Sequence, residues 1–155
     1  MDTSGHDVVE RVSPDGGVVV GDDGSEGAGK AIAFGVEEAG RRGTTLHVLR
    51  AWTITSAVRP LGAASGYVPS LQEFERGTLE AERRRVGEIC GEGAGVPVEA
   101  HVVHSASAQA LIEASKTCDL VVLGTRGRGG FASLVLGSVA LQCVAHAHCP
   151  VTVVR

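Results

Sequence analysis

Short apolar runs alternate along the chain with polar stretches of helical period, and their order reads as strand followed by helix, repeated. Val18-Val19-Val20, flanked by Gly17 and Gly21, is a continuous β-branched run of the kind a strand covered on both faces requires. Ser25 then offers an N-cap. Ala28, Ala31, Ile32, Gly35, Val36 and Ala39 recur at helical spacing, and Arg41, Arg42 and Gly43 supply the charge and the glycine that suit a helix C-terminus. Further strands are expected over 46–52, 98–103, 119–124 and 150–155. A second helix should start at Ser70, where Ser70-Leu71-Gln72-Glu73 makes a capping box after Pro69, and run to about Glu92 with a solvated Glu/Arg face. A third covers 106–116, with Leu111 and Ile112 turned inward, and a fourth covers 138–146.

Such alternation predicts an α/β fold: a doubly wound open sandwich in which five parallel strands carry helices on both faces. In that architecture ligands bind beyond the carboxyl ends of the strands, at a topological switch point. The first and fourth strands are the natural pair, because both end in glycine-containing loops. Residues 1–15 are polar and aperiodic and are expected to form a flexible tail, leaving 16–155 as a single domain. The connection over 53–68 is long for a compact domain and is either a lid over the ligand crevice or a mobile surface loop.

Composition narrows the partners. A chain of 155 residues, 43% hydrophobic, can bury one core, and its formal net charge of −4 argues against nucleic acid or an anionic membrane surface. No basic segment leads into an apolar core at the N-terminus, and no apolar run approaches the length of a membrane span, so a cytoplasmic location is expected. Cys90, Cys118, Cys143 and Cys149 form no CxxC pair and read as reduced, structural thiols. Cys143, His146, His148 and Cys149 offer zinc-type donors, but their spacing matches no recurring zinc pattern.

Against that acidic background, 120–155 contains no Asp or Glu, and Arg126, Arg128 and Arg155 are its formal charges. Gly124-Thr125-Arg126-Gly127-Arg128-Gly129-Gly130 follows the apolar run Leu120-Val121-Val122-Leu123 and is followed by Gly137-Ser138. Glycines let successive backbone N–H groups curl round an anion, and a helix start adds donors and a favourable dipole. The alternative for each part is plain: turn-forming glycines, and a packing glycine at 137 inside one helix over 131–146. Gly127-x-Gly129-x-x-Ala132 also satisfies a dinucleotide pattern, but it follows the fourth strand and has no acid downstream. A Gly-Lys-Ser/Thr phosphate loop is absent.

The spacing Gly124-x2-Gly127-x9-Gly137-Ser138 resembles the signature of the nucleotide-binding branch of the universal stress proteins. Val18–Ser25, with Asp23 in the acidic position, Leu46-His47-Val48, Asp119–Gly124 and His148–Val154 resemble other segments of that family, so the likeness spans about 17–155. The resemblance implies strand order 3-2-1-4-5 and a site for ATP or another adenine nucleotide, accompanied by Mg2+. It would place Asp23 and Val48 at the adenosine end and Gly127, Gly130, Gly137 and Ser138 round the phosphates. Gly124, Thr125, Arg126, Arg128 and Val139 complete the expected site. Ser138 can donate its hydroxyl and cap the helix, and Val48 supplies apolar contact for the base. The family usually has an uncharged residue at position 22; strand alternation should send only one of Asp22 and Asp23 into the site, and Asp23 is favoured.

Binding and turnover are separate questions. Hydrolysis needs a residue to orient water, and Asp23 or His104 is a conceivable base, although His104 also reads as a plain loop residue. The expected function is therefore a nucleotide-sensing regulatory module of the stress response, with slow hydrolysis at most. The alternatives are a phosphotransferase or slow ATPase, and a ligand-independent interaction protein. The resemblance also implies a homodimer, and the final apolar strand, 151–155, would supply its edge.

Overall fold

The computed structural model describes residues 7–127 and 136–155. In chain order it contains β1 (Val18–Gly21), α1 (Glu26–Arg42), β2 (Leu46–Trp52), α2 (Leu71–Cys90), β3 (Val98–His104), α3 (Ser107–Ala114), β4 (Leu120–Gly124), α4 (Ser138–His146) and β5 (Val151–Val154). The strands form one parallel sheet in the order β3-β2-β1-β4-β5. This is the expected doubly wound architecture. Among the described residues, no helix is long and apolar enough to cross a membrane.

Helix boundaries follow local chemistry. The Ser25 hydroxyl accepts the Ala28 N–H at 3.1 Å and starts α1, which ends at Gly43, left-handed at φ 63°. Ser70 and Glu73 form the full capping box at the head of α2, each side chain accepting the other's backbone N–H. The end of α2 is set at Cys90 by Gly91, two residues before the expected stop.

Strand alternation divides the core between the two faces. Val18, Val20, Leu46, Val48, Leu120 and Val122 pack against Ala31 and Ile32 of α1 and Val86 of α2. Val19, Leu49, Val121 and Leu123 face the other way, against Ala110, Leu111 and Ala114 of α3 and Ala140 and Cys143 of α4. A side chain fully buried this way contributes about 1.5–3 kcal/mol. Close helix-to-sheet approach depends on Gly35, where a Cβ would lie 2.5 Å from Val20 Cγ2.

Of residues 1–15, expected to form a flexible tail, 1–6 lie outside the described residues and 7–15 make contacts with the domain. The Val9 N–H donates to Glu75 Oε2 at 2.7 Å, its carbonyl accepts the His104 N–H at 2.8 Å, and Val8 and Val12 pack on apolar clusters. Their partners lie far along the chain, so the local polarity of the segment gave no sign of them. Residues 53–68 fold against α2: the Val58 N–H donates to Thr78 Oγ1 at 3.0 Å, and Arg59 donates to the Tyr67 carbonyl at 2.8 Å. None of them lines the crevice at the carboxyl ends of β1 and β4.

Candidate functional site

A cavity of about 360 Å³ opens where β1 and β4 diverge, at the carboxyl ends of the strands. This is the switch point of the sheet, because the chain runs outward from β1 to β2 on one side and enters β4 on the other. Leu49 and Ala51 of β2, Ala110 and Leu111 of α3, Leu123 of β4 and Val139 of α4 give it an apolar lining. Gly21, Asp22, Asp23, Ser25, Gly124, Thr125, Arg126, Gly127, Gly137 and Ser138 form its polar side.

The loop after β1 is shaped by its two carboxylates. Asp22 Oδ1 accepts the Gly24 N–H and Asp23 Oδ1 accepts the Ser25 N–H, each at 2.9 Å, two residues along the chain. From there the pair separates. Arg85 of α2 grips Asp22 through Nε to Oδ2 at 2.8 Å and Nη2 to Oδ1 at 3.1 Å, and its Nη2 also donates to the Ser25 carbonyl at 2.7 Å. Asp23 lies against the glycine loop, so close that a Cβ on Gly127 would collide with its Oδ2.

Beneath Asp22 is Glu82, whose side chain is 0% exposed and accepts from Arg50 Nη1 at 3.2 Å. Burial, then the hydrogen bond and charge of Asp22, push the Glu82 carboxyl up to about 8, against the opposing pull of Arg50. Burial also works against ionised Asp22, but hydrogen bonds from Glu82, Arg85 and the Gly24 N–H outweigh it and hold Asp22 below its ordinary value. Burial and the neighbouring carboxylate thus favour the neutral form of Glu82 and the charge on Asp22.

The backbone round the glycine loop is tightly packed. The Gly137 N–H donates to the Thr125 carbonyl at 2.6 Å, and the Thr125 N–H donates to the Val154 carbonyl at 3.1 Å. A Cβ on Gly124 would stand 3.0 Å from the Gly27 carbonyl carbon and oxygen. Gly137 is the N-cap of α4. It has no side chain with which to cap the free N–H groups of the first turn, which begins at Ser138 on the cavity wall. Ser138 is thus the first helical residue and not the cap.

Of the residues expected in the site, Asp23, Gly124, Thr125, Arg126, Gly127, Gly137, Ser138 and Val139 line the cavity. Arg128 and Gly130 lie outside the described residues. Val48 must be corrected: its side chain is 0% exposed on the α1/α2 face, and Leu49 and Ala51 meet the cavity in its place. A one-residue step along a strand reverses the side chain, so Leu49 and not Val48 faces α3. His104 ends β3, stacks on Trp52 with ring centroids 4.5 Å apart, and does not line the cavity.

The sequence profile of the Universal stress protein family matches residues 17–155. The chain belongs to that family. Universal stress protein Mb2019 of Mycobacterium bovis is 38% identical over 149 residues, which cover 92% of this chain and 44% of that protein. The chain thus spans about half the length of such curated universal stress proteins. Among solved structures, universal stress protein UspA from Lactobacillus plantarum superposes with a TM-score of 0.69 at 20% identity, covering 93% of this chain and all (100%) of the other. A universal stress protein in complex with cAMP superposes with a TM-score of 0.62 at 23% identity, covering 92% of this chain and 98% of the other. At these identities the likeness is one of fold.

The cysteines do not form a metal centre as a group. Cys143 is buried on the inner face of α4, while His146 and His148 are exposed and Cys149 Sγ lies 3.8 Å from Cys118 Sγ. Burial pushes the Cys118 thiol up to about 12 and the Cys143 thiol up to about 11, so both are poor nucleophiles.

Proposed function

We propose that the cavity binds an adenine nucleotide and that the protein acts as a nucleotide-sensing module in the stress response. One observation carries the reading: Asp23, the glycine loop at Gly124–Gly127 and the uncapped start of α4 converge on the mouth of an apolar cavity. A carboxylate suits a ribose hydroxyl, apolar walls suit a base, and backbone N–H groups at a helix N-terminus suit phosphate. The volume lies within the range of small-molecule sites. The cAMP bound by the related structure supports the same ligand class.

In this reading the base rests on Leu49 and Ala51 and the phosphates extend toward Gly127, Gly137 and Ser138. ATP is the nucleotide the family likeness favours. Mg2+ arriving with it would meet Asp23, which lies against the glycine loop. Hydrolysis would be slow, because His104 is held on Trp52 and does not line the cavity.

The deciding experiment is to denature the purified protein and identify any released small molecule by mass spectrometry, then titrate emptied protein with ATP, AMP and cAMP. Adenine nucleotide released in near-stoichiometric amount supports the reading. A protein that releases none and ignores all three added nucleotides sinks it. We further propose a homodimer through the edge strand β5, on the observation that β5 pairs only with β4 in the sheet.

A further inference from the structure

On the α3/α4 side of the sheet, away from the cavity, the parallel register sets His47 opposite Glu99 and Leu49 opposite His101. Residues 47, 99 and 101 therefore share one face of β2 and β3. Their donor atoms meet in a triangle: His47 Nδ1 to His101 Nε2 is 3.0 Å, Glu99 Oε2 to His47 Nδ1 is 3.4 Å, and Glu99 Oε2 to His101 Nε2 is 3.5 Å. We propose that these three side chains form a binding site for a divalent transition-metal ion of the zinc class.

A hydrogen bond between the two rings accounts for the shortest side alone. One shared proton leaves a nitrogen lone pair facing the other ring's proton, and the carboxylate oxygen then stands within 3.5 Å of that acceptor nitrogen as well as of the donor. A cation at the centre of the triangle turns the repulsion between lone pairs into coordination. Zinc bonds nitrogen and carboxylate oxygen at about 2.0–2.2 Å, so tetrahedral donors stand about 3.3–3.6 Å apart. Two sides of the triangle already have that length, and the third needs to open by a few tenths of an ångström.

The surroundings favour a metal-ready state. The His47 ring is pinned beside Gly17, at φ +85°, where a Cβ would lie 3.2 Å from the imidazole. Burial lowers the pKa of both rings, with the Glu99 charge opposing it, so they are neutral ligands at neutral pH. On metal binding, the ring that donates the shared proton carries its N–H on its other nitrogen, and no net proton is required from solvent. Side-chain exposures of 10% for His47, 24% for His101 and 58% for Glu99 give a fixed floor with an accessible rim.

Two imidazoles and one carboxylate are a zinc donor set with a fourth position left for water, whereas Mg2+ and Ca2+ prefer oxygen ligands throughout. A bound ion would also tie the edge strand β3 to β2. None of the three residues lines the nucleotide cavity, so this site stands or falls independently of that ligand.

The test uses the full chain, stripped with a chelator and dialysed against Zn2+, with bound metal measured by elemental analysis and Co2+ absorption as a geometry probe. His47 is buried and is left intact. The expected result is one ion per chain, a tetrahedral Co2+ spectrum, and an affinity at least about tenfold lower in His101→Ala and in Glu99→Gln. Zn2+ should raise the thermal midpoint of the unsubstituted protein and not of His101→Ala. The proposal is overturned if no ion binds above the level of His101→Ala, if both variants keep full affinity, or if equimolar Mg2+ displaces the zinc.

Discussion

Arg85 holds Asp22 through two parallel nitrogen-to-oxygen contacts of 2.8 and 3.1 Å, and so ties up the first of two adjacent carboxylates that border the cavity in an ion pair. Asp23 is left as the carboxylate beside the glycine loop. Two negative groups that share a chain position thus have different tasks, one structural and one facing the proposed nucleotide.

Breaking this pair should be costly. Arg85→Met leaves the fully buried Asp22 side chain without its guanidinium, and loss of one partner of a buried pair costs about 3–5 kcal/mol. Because the Arg85 side chain is 26% exposed, the lower end, about 3 kcal/mol, is expected from urea unfolding at neutral pH. A loss under about 1 kcal/mol would mean that solvent or Arg50 compensates.

Glu82 predicts an unusual pH dependence. Its folded pKa of about 8 lies above the ordinary 4.5, so the folded state holds the proton more tightly. Its stabilising contribution is full below about 4.5 and is lost as pH rises through about 8. The lowered pKa values of His47 and His101 act in the opposite sense, removing stability as pH falls below the ordinary 6.5. Glu82→Gln, which does not titrate, should remove only the first effect. The stability difference between variant and parent, measured by denaturant titration from pH 5 to 9, should move in the variant's favour as pH rises; a constant difference would refute a protonated Glu82.

The nucleotide reading predicts matched losses at two positions. Asp23→Ala removes a charged hydrogen-bond acceptor worth about 1.5–3 kcal/mol, or roughly ten- to a hundredfold in ATP affinity. Gly127→Ala sets a Cβ against Asp23 Oδ2 and should weaken binding at least about tenfold through the same carboxylate. Calorimetry on both, with circular dichroism to verify folding, checks this. Unchanged affinity in both folded variants would remove Asp23 from the site.

Gly35→Ala tests the packing of α1 on the sheet. Alanine improves helix propensity by about 1 kcal/mol, but its methyl would meet Val20 Cγ2 at 2.5 Å and Leu46 Cδ1 at 3.0 Å. Overpacking costs about 1–3 kcal/mol and should win, giving a net loss in thermal unfolding. A gain in stability would show that α1 can lift without penalty.

Ser25, Gly43 and the Ser70/Glu73 box were legible in the sequence because capping acts within a few residues of itself. The β-branched run at Val18–Val20 and the spaced glycines at 124, 127 and 137 were legible for the same reason: period and turn chemistry are local. The alternation of elements then limited the topology to a parallel, doubly wound sheet, and the sheet placed the cavity at its switch point. What local pattern could not carry was direction across distance. Whether Val48 or Leu49 meets the cavity depends on which face of β2 receives α3. That Asp22 and not Asp23 is gripped in a two-contact ion pair depends on Arg85, 63 residues away from Asp22. His47 and His101 lie 54 residues apart and meet only because β2 and β3 pair in one register. The sequence alone determined the elements, their caps and the glycine loop, because those depend on neighbours along the chain. Tertiary structure decided which side chains share a face, because strand register and helix docking are set by the packing of the whole core.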